Sequence, residues 1–399
     1  MMKVYPAFTR EIDNGRKAVA EILAQLNPEQ NALENTVGFI HMYYEFVDTG
    51  VCQAIMDALP FEVTGCVSSY NGTGENYGDV VLSVTMLTSD TCRFVTRAVE
   101  DVNTKSFDQI AGEVKGLLTE FSAEEKPKLV VPYILPLQGK FSGDDLVETA
   151  NALPDPLPLF GTVAFNTENS NGPHYVVGNG AISSDQFIFT ALYGDYEPKF
   201  RITSSFAFDE EFGDVAEITE ADRTVLKMVN GITALEYLKK QGMIISNNAV
   251  AGAGIWAVPA ILTYPNGIRV VRGFMGIVDG TEHIFATGYM EKGAKITFAF
   301  LDGEKTLSSA EKLFKEIIDS GENGLLAYSC AARAWSLGTK YFAETERIIK
   351  TSRDYERKHN VPLDYCVAYS GGEICPMVNN EGKLVNVLHN YTLVSCAFC

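Results

Sequence analysis

Three stretches of the chain share one pattern, and this internal repeat constrains the fold more than any single motif. Each stretch has a short apolar strand, a turn rich in Gly, Ser and Asn, an irregular polar segment and a longer apolar strand. The stretches are Phe61 to Leu87, Leu157 to Leu192 and Leu363 to Phe398. Helix-like segments precede them at Gly50 to Leu59, Gly143 to Leu153 and Lys340 to Lys358. The pattern is either a chance recurrence or a true repeat, and a true repeat predicts hairpins in comparable places whose turns gather at a shared cleft.

Start signals and apolar periodicity predict amphipathic helices between the strands. Ser106 and Gln109 have capping-box spacing, and the apolar residues that follow lie on one helical face: Ile110, Val114, Leu117, Leu118 and Phe121. Ser308 and Glu311 predict a second start, ahead of Leu313, Phe314, Ile317 and Ile318. Short apolar segments predict strands at Leu129 to Leu135, Phe187 to Leu192, Trp256 to Thr263, Ile268 to Val271, Ile296 to Leu301 and Leu325 to Cys330. The predicted class is mixed α/β (α+β), with repeated helix–strand–hairpin units, sheets flanked by helices, and two halves.

A change in composition predicts where the two halves meet. After the predicted helix Thr233 to Gln241, the segment from Gly242 to Gly254 replaces helix formers with Gly, Ala, Ser and Asn. We therefore predict an N-terminal extension over residues 1–34, a first α/β domain over residues 35–242 and a second over residues 243–399.

The charge and hydropathy of the chain exclude several classes of partner. A formal net charge of −19 repels phosphate backbones and anionic lipid, so we expect neither a nucleic acid nor a membrane as partner. The first residues lack the pattern of a secretory signal, and no apolar run approaches the roughly 18 residues of a membrane span. We expect a cytoplasmic protein with reduced, free thiols at its eight cysteines.

Motifs for metals and cofactors are weak. Cys396 and Cys399 form a CxxC pair, with Cys366, Cys375 and His389 nearby in sequence, but residues three apart on a strand point to opposite faces. No segment matches a P-loop, and the stretch from Gly178 to Ser183 indicates a tight turn rather than a dinucleotide-binding fingerprint. We expect no metal and no cofactor.

Two charged residues near the carboxyl terminus are candidates for ligand binding. Arg333 follows a predicted strand among small residues, and its guanidinium suits bidentate binding of a carboxylate. That carboxylate belongs either to a ligand or to Glu373, in a buried pair that joins two strands. Glu373 follows Gly371 and Gly372, which permit a turn of special shape.

His389 and Asn390 interrupt an otherwise apolar strand. A buried polar group without a partner costs about 1 to 3 kcal/mol, so both side chains need partners. The partners are either the Gly371–Gly372 turn with Glu373, or a ligand at the end of the sheet. Cys330 is more typical of a buried strand thiol than of a nucleophile, because nothing adjacent in sequence would lower its pKa.

Three carboxyl-terminal motifs resemble signatures of a known family. "LLAYSCAARAWSLG" (Leu325 to Gly338), "SGGEICP" (Ser370 to Pro376) and "HNYTLV" (His389 to Val394) are similar to the Ser-Cys-x-Gly-Arg, Gly-Glu-Ile and His-Asn-x-Thr motifs of the FIST domain. "LFGTVAFN" and the Gly65-Cys66 segment resemble its amino-terminal half. The resemblance implies a sensory module that binds small ligands such as amino acids and has no enzymatic activity. Since no kinase, cyclase or F-box domain is evident in the sequence, we expect a separate protein to provide the output. The resemblance also implies a ligand site made of Cys330, Arg333, Gly371, Gly372, Glu373, His389, Asn390 and Thr392.

Three hypotheses follow. The first is a small-ligand sensor in which Arg333 binds the carboxylate of an amino acid and Glu373 its ammonium group. The second is a thiol-dependent hydrolase or transferase with Cys330 as nucleophile, His389 as base and Glu373 as orienting group. The third is a protein-interaction scaffold, with which the acidic surface is compatible.

Overall fold

The computed structural model describes residues 2–74, 76–137, 140–166, 173–206, 211–243 and 258–398. Within these ranges, three successive units share one order of elements: strand, helix, strand, helix, strand, hairpin and long strand. The three segments with the repeated sequence pattern form the last part of each unit. The repeat is therefore confirmed as a structural one.

Unit 1 opens the chain. Its elements are β1 (Lys3–Thr9), α1 (Gly15–Leu26), α2 (Pro28–Asn31), β2 (Asn35–Met42), α3 (Glu45–Asp48), α4 (Val51–Ala58), β3 (Glu62–Val67), β4 (Asn71–Thr73), β5 (Asn76–Gly78) and β6 (Leu82–Ser89). Unit 2 repeats the order with β7 (Arg93–Glu100), α5 (Phe107–Phe121), β8 (Leu129–Ile134), α6 (Gly143–Asn151), β9 (Gly161–Val163), β10 (Val176–Gly178), β11 (Ala181–Ser183) and β12 (Gln186–Tyr193).

Unit 3 is interrupted after its first strand, β13 (Lys199–Ser204), by an inserted sheet. The insertion contains β14 (Phe212–Asp222), β15 (Val225–Val229), β16 (Ile232–Thr233), α7 (Ala234–Lys240), β17 (Ala260–Thr263), β18 (Arg269–Arg272), β19 (Phe274–Ile277), β20 (Ile284–Ala286) and β21 (Lys295–Phe298). Unit 3 then resumes with α8 (Gly303–Ser320), β22 (Leu325–Cys330), α9 (Ala331–Ser336), a 3-10 turn (Gly338–Lys340), α10 (Ala343–His359), β23 (Tyr365–Ser370), β24 (Glu373–Val378), β25 (Leu384–His389) and β26 (Thr392–Ala397).

Each unit builds most of one sheet and donates its hairpin to the next sheet. Sheet I has the order β1-β6-β2-β3-β10-β11, sheet II β7-β12-β8-β9-β24-β25, and sheet III β13-β26-β22-β23-β4-β5. In all three, the middle pair is parallel and its neighbours are antiparallel. Unit 1 therefore donates to sheet III, unit 3 to sheet II and unit 2 to sheet I, which closes a ring. The inserted strands form sheet IV, in the order β18-β17-β21-β14-β15-β20-β19 with β16 on β15.

The turns that follow the second parallel strands bind one another in the same ring. The Tyr369 N–H donates to the carbonyl of Tyr70, and the Gly371 N–H donates to the carbonyl of Val163. The third connection runs from the Phe165 N–H to the carbonyl of Val67. The turns are therefore hydrogen-bonded to each other, as a convergence of the three repeats requires, whereas the shared cleft stays a prediction.

The core lies between the sheets and under the helices. One apolar cluster combines residues of all three units, among them Phe39, Tyr133 and Tyr328. Further clusters lie under α1 and α4 on sheet I and under α8 and α10 on sheet III. Sheet IV has a separate core that also includes Val387 of β25.

Two glycines allow the parallel pairs of units 1 and 2 to approach closely. A Cβ atom at Gly65 would lie 1.8 Å from the carbonyl oxygen of Ile40, and one at Gly161 would lie 2.0 Å from that of Pro132. These glycines occupy corresponding positions. Gly65 comes just before Cys66, which pairs with His41, and Gly161 comes just before Thr162, which pairs with Tyr133. Any larger residue would separate the two strands.

The mixed α/β class is confirmed, whereas some details differ. Ser106 and Gln109 form the predicted capping box. The box at Ser308 is wrong, because Asp302 caps α8 and the helix begins at Gly303. Sheets II and III each combine strands from both halves of the chain.

The predicted segment boundaries have the following places in the fold. Residues 3–26, within the predicted N-terminal extension, form β1 and α1 of unit 1. The boundary at residues 242/243 falls between strands of sheet IV. Most of the segment from Gly242 to Gly254, together with Trp256, lies outside the described residues. None of the described helices combines the length and apolar character needed to cross a bilayer.

Candidate ligand-binding site

The residues singled out by the sequence gather around the turn between β25 and β26. His389 ends β25, Thr392 begins β26, and Tyr391 between them adopts a left-handed conformation with φ of 59°. Glu373 pairs with His389 across β24 and β25. The Gly371–Gly372 turn lies against the same region, since a Cβ atom at Gly372 would be 3.5 Å from the Asn390 amide nitrogen. Six of the eight predicted residues therefore lie at or against this turn, and the other two, Cys330 and Arg333, reach it through the backbone of Tyr391.

Glu373 is fully buried, and its carboxyl group is bound by two hydroxyls. The Ser370 hydroxyl donates to Oε1 over 3.1 Å and the Thr392 hydroxyl donates to Oε2 over 2.8 Å. Burial raises the pKa of Glu373 to about 8, although the hydroxyl groups of Thr392 and Ser370 act against this rise. At neutral pH the group therefore carries a proton, which does not suit binding of a ligand ammonium.

Unit 1 contains a corresponding arrangement without a carboxyl group. The Ser68 hydroxyl donates to Asn71 Oδ1 over 2.8 Å, and the Asn71 amide donates to the carbonyl of Val81 over 3.0 Å. Asn71 begins the donated strand β4 as Glu373 begins β24, three residues after the serine in both cases. Glu373 therefore occupies a position at which a neutral amide performs the same structural task.

Arg333 pairs with Glu344 and not with Glu373, which was one of the two alternatives from the sequence. Both side chains are fully buried, and Nε donates to Glu344 Oε1 over 2.9 Å while Nη2 also contacts that oxygen. The other guanidinium protons are bound by Ser205 Oγ at 2.9 Å, the Tyr391 carbonyl at 3.5 Å, the Thr306 carbonyl at 3.0 Å and Ser309 Oγ at 2.9 Å. Since all five N–H groups of an arginine are engaged, Arg333 has no donor left for a ligand carboxylate.

Glu344 has no sequence signal beyond its place as an acidic residue in the first turn of a helix. Its second oxygen, Oε2, accepts hydrogen bonds of 2.8 Å from Ser329 and from Tyr369. The carboxylate thus connects α10 with β22 and β23 as well as with Arg333. Only the tertiary structure brings these four elements together.

His389 and Asn390 find partners that the sequence did not indicate. The Nε2 atom of His389 lies 3.0 Å from the carbonyl of Cys375, and burial lowers the pKa of the ring to about 4. Asn390 Oδ1 accepts from the Thr287 hydroxyl over 2.9 Å and from Arg272 Nη1 over 3.3 Å. The imidazole is neutral, and the amide joins sheet II to sheet IV.

Arg272 and Asp144 form a buried ion pair that sequence reasoning missed. Arg272 Nη2 lies 3.0 Å from Asp144 Oδ1, and Nη1 donates to the carbonyl of Leu388 over 3.0 Å. The second oxygen of Asp144 accepts from the Tyr289 N–H over 3.0 Å. These contacts fix sheet IV against the start of α6 and the end of β25. The only sequence signal was the Ser142–Asp145 capping box next to Asp144.

The environment of Cys330 does not favour a nucleophile. The side chain is buried, and burial together with the Glu373 carboxyl group raises the pKa of its thiol. His389 is engaged with the Cys375 carbonyl, and Glu373 with two hydroxyls. Among the described residues, no hydrogen bond connects Cys330, His389 and Glu373 into a catalytic series.

An open cleft of about 400 Å³ lies beside the Arg333 network. Its lining residues come from the start of α8 and from the segment between α9 and α10: Leu301, Asp302, Gly303, Glu304, Leu307, Ser336, Leu337, Lys340 and Ala343. The network lies directly beneath it, because Arg333 binds the Thr306 carbonyl and Thr306 Oγ1 lies 3.2 Å from Ser336 Oγ. We call this the α8 cleft. Sequence reasoning did not identify it, since its lining has no motif.

The seven described cysteines are buried and free of disulfide bonds among the described residues. Cys399, the second member of the CxxC pair, lies outside those residues. No group of three or more His, Cys, Asp or Glu side chains in the described ranges could hold a metal ion. The absence of a metal and of a cofactor stays a prediction.

Comparison with known families identifies the chain. Residues 37–232 match the FIST N domain and residues 234–376 match the FIST C domain. A search of curated proteins found no match. The C-domain match ends before β25, so the His389–Asn390 turn lies beyond it. The chain therefore belongs to the FIST domain family, which is associated with signal transduction and small-ligand sensing.

Proposed function

We propose that the protein is a cytosolic sensor without catalytic activity that binds a free amino acid in the α8 cleft. The observation that carries the proposal is the position of this cleft above the Arg333 network. A volume of about 400 Å³ falls in the range of about 300 to 1,000 Å³ that is common for small-molecule sites.

The lining of the α8 cleft supports an amino acid as ligand. The ammonium group of Lys340 can bind a carboxylate, and the carboxylates of Asp302 and Glu304 can bind an ammonium group. Asp302 Oδ1 already accepts from the Lys305 N–H over 3.0 Å, so Glu304 is the better placed acceptor. Leu301, Leu307 and Leu337 offer apolar surface for the ligand side chain. In this proposal Lys340 binds the ligand carboxylate and Glu304 binds the ligand ammonium group, in place of Arg333 and Glu373.

In this proposal Arg333 is a positioning residue. It binds Thr306 and Ser309 of α8 and Glu344 of α10, the two helices beside the α8 cleft. Its own helix, α9, ends at Ser336 in the cleft lining. The buried guanidinium would then set the shape of the cleft without touching the ligand.

The neutral forms of Glu373 and His389 and the raised pKa of Cys330 support binding rather than catalysis. We further propose that a separate protein provides the signalling output, as the family association suggests.

A thermal-shift screen tests the proposal. Free amino acids should raise the Tm, whereas matched amines and matched carboxylic acids should raise it less, because each lacks one of the two charges. A ligand at 100 times its Kd stabilises the folded state by about 2.7 kcal/mol. If no amino acid raises the Tm, the proposed ligand class is wrong.

Two matched lysine variants test the location. Lys340→Ala should abolish the shift produced by an active amino acid. Lys350→Ala, on the exposed face of α10 and away from the lining of the α8 cleft, should preserve it. A shift that survives Lys340→Ala would place the ligand elsewhere.

A further inference from the structure

A second site lies at the centre of the molecule, where the three units meet. His41, Tyr133 and Tyr328 occupy corresponding positions on the first parallel strands, opposite Cys66, Thr162 and Ala368 on the second. Their rings meet edge to face, with centroids 5.6 Å apart for His41 and Tyr133, 5.5 Å for His41 and Tyr328, and 6.4 Å for the two tyrosines. We call these three residues the central triad.

The members of the central triad differ in their hydrogen bonding. The hydroxyls of Tyr133 and Tyr328 bind each other over 2.8 Å. His41 is fully buried, and neither Nδ1 nor Nε2 has a hydrogen-bond partner among the described residues. Buried polar side chains nearly always have partners, so the ring of His41 requires an explanation.

Further polar groups of unit 1 face the same interior. The Thr64 hydroxyl is fully buried without a partner. The Thr85 hydroxyl makes no hydrogen bond of normal geometry and has only the Cys366 thiol, a weak partner, beside it. Both threonines pair in register with Phe39, two residues before His41, so all three side chains emerge from the same face of sheet I.

The side chains that face this interior are neutral. Burial lowers the pKa of His41 to about 3, so the imidazole is neutral with one donor and one acceptor nitrogen. Burial also raises the pKa values of the groups that face it, which are Tyr133, Tyr328, Cys66 and Cys366, and these groups keep their protons. Among the described residues, no group of three or more His, Cys, Asp or Glu side chains could hold a metal ion, and an anion would require a cation. A small neutral molecule that both donates and accepts hydrogen bonds remains.

We propose that the central triad holds an internal hydration site, in which bound water completes the hydrogen bonds of His41 and of the Thr64 and Thr85 hydroxyls. Buried water of this kind binds otherwise unpaired polar groups and forms part of the folded structure. The site would be specific to unit 1, because tyrosines replace His41 in the other two units and satisfy each other directly. It is independent of the α8 cleft.

Two substitutions at His41 give opposite results for a hydrated and a dry site. With bound water, His41→Gln should lower the Tm only slightly, since an amide also donates and accepts hydrogen bonds. His41→Leu should lower the Tm clearly. In a dry site, His41→Leu should raise the Tm above that of the unmodified protein, because it removes an unpaired polar group at similar volume. A rise in Tm for His41→Leu would overturn the proposal.

A further variant and a direct observation cover the case in which the His41 variants fail to fold. Thr64→Val removes only the hydroxyl, so it should lower the Tm of a hydrated site and raise that of a dry one. A crystal structure of the unmodified protein should show water within hydrogen-bond distance of a ring nitrogen of His41. Well-ordered density for the ring without such a water would also overturn the proposal.

Discussion

Arg333 and Glu344 form an ion pair in which both side chains are completely buried. The pair connects α9 to α10, and its remaining hydrogen bonds reach α8, β22 and β23. Burying two charges is unfavourable unless each is paired and fully hydrogen-bonded, and here both are. Arg333, which the sequence predicted to bind a ligand, therefore holds together the elements around the α8 cleft.

Glu344→Ala should destabilise the protein strongly. Removing one partner of a buried pair leaves the other charge uncompensated, which costs about 3 to 5 kcal/mol. Urea denaturation followed by circular dichroism measures this loss. Glu346→Gln, an exposed position on the same helix that only accepts from Tyr77 at the surface, should change the free energy of unfolding by less than about 1 kcal/mol. Equal effects of the two substitutions would contradict the role assigned to the buried pair.

Glu373→Gln should alter the pH dependence of stability. The folded protein raises the pKa of Glu373 from 4.5 to about 8, so the folded state binds the proton more tightly than the unfolded state does. The associated stability is complete below about pH 4.5 and is lost as the pH rises to about 8. The glutamine variant lacks this pH-dependent contribution to stability. Its free energy of unfolding should therefore fall less than that of the unmodified protein between pH 5 and pH 8. Parallel pH profiles for the two proteins would show that Glu373 does not titrate as described.

Arg272→Ala should loosen sheet IV from the rest of the molecule. The substitution leaves Asp144 buried and unpaired and frees the Leu388 carbonyl, so local opening should become easier. Hydrogen exchange followed by mass spectrometry should show faster exchange over residues 260–298 and 384–390. Arg269→Ala on the same strand removes a partly exposed pair with Glu211 and should have a smaller effect. If exchange in these segments is unchanged in Arg272→Ala, the ion pair does not hold the sheet.

Gly65→Ala and Gly112→Ala should change stability in opposite directions. The new Cβ atom at Gly65 would overlap the Ile40 carbonyl oxygen, whereas nothing lies within 4 Å of one at Gly112 in α5. Alanine at Gly112 should stabilise the helix by about 0.5 to 1 kcal/mol. Alanine at Gly65 should force β2 and β3 apart and lower the Tm by many degrees. Thermal melts of the two variants make the comparison, and a tolerated Gly65→Ala would contradict the close strand approach.

The fold was accessible from the sequence to the extent that local patterns control it. The apolar runs from Leu129 and Leu325 predicted β8 and β22 because a strand buried on both faces needs continuous apolar residues. The repeat predicted equivalent hairpins because the same local pattern recurs three times. The helix start at Asp302 was missed, since Ser308 has equal capping chemistry and only the chain path decides between them.

The site was less accessible, because its contacts join residues far apart in sequence. The sequence predicted one apolar strand interrupted by His389 and Asn390, whereas the structure has two strands, β25 and β26, with a turn between them. The partners of these residues, such as Arg272 for Asn390, lie on elements whose sequences give no signal for the contact. A polar residue in an apolar segment indicates that a hydrogen-bond partner is needed, but the surrounding sequence does not identify that partner.

The ring of donated hairpins also has a consequence for synthesis on the ribosome. The other strands of sheet II are complete once Tyr193 has been made, but its last two strands come from residues Glu373–Val378 and Leu384–His389. Until then β9 presents an open edge, the kind of edge that pairs with other chains and leads to aggregation. A ribosome that pauses between these segments would prolong this exposure. The nascent chain would therefore carry this open edge while about half of its residues are made, and sheet II could not close before the last unit had emerged.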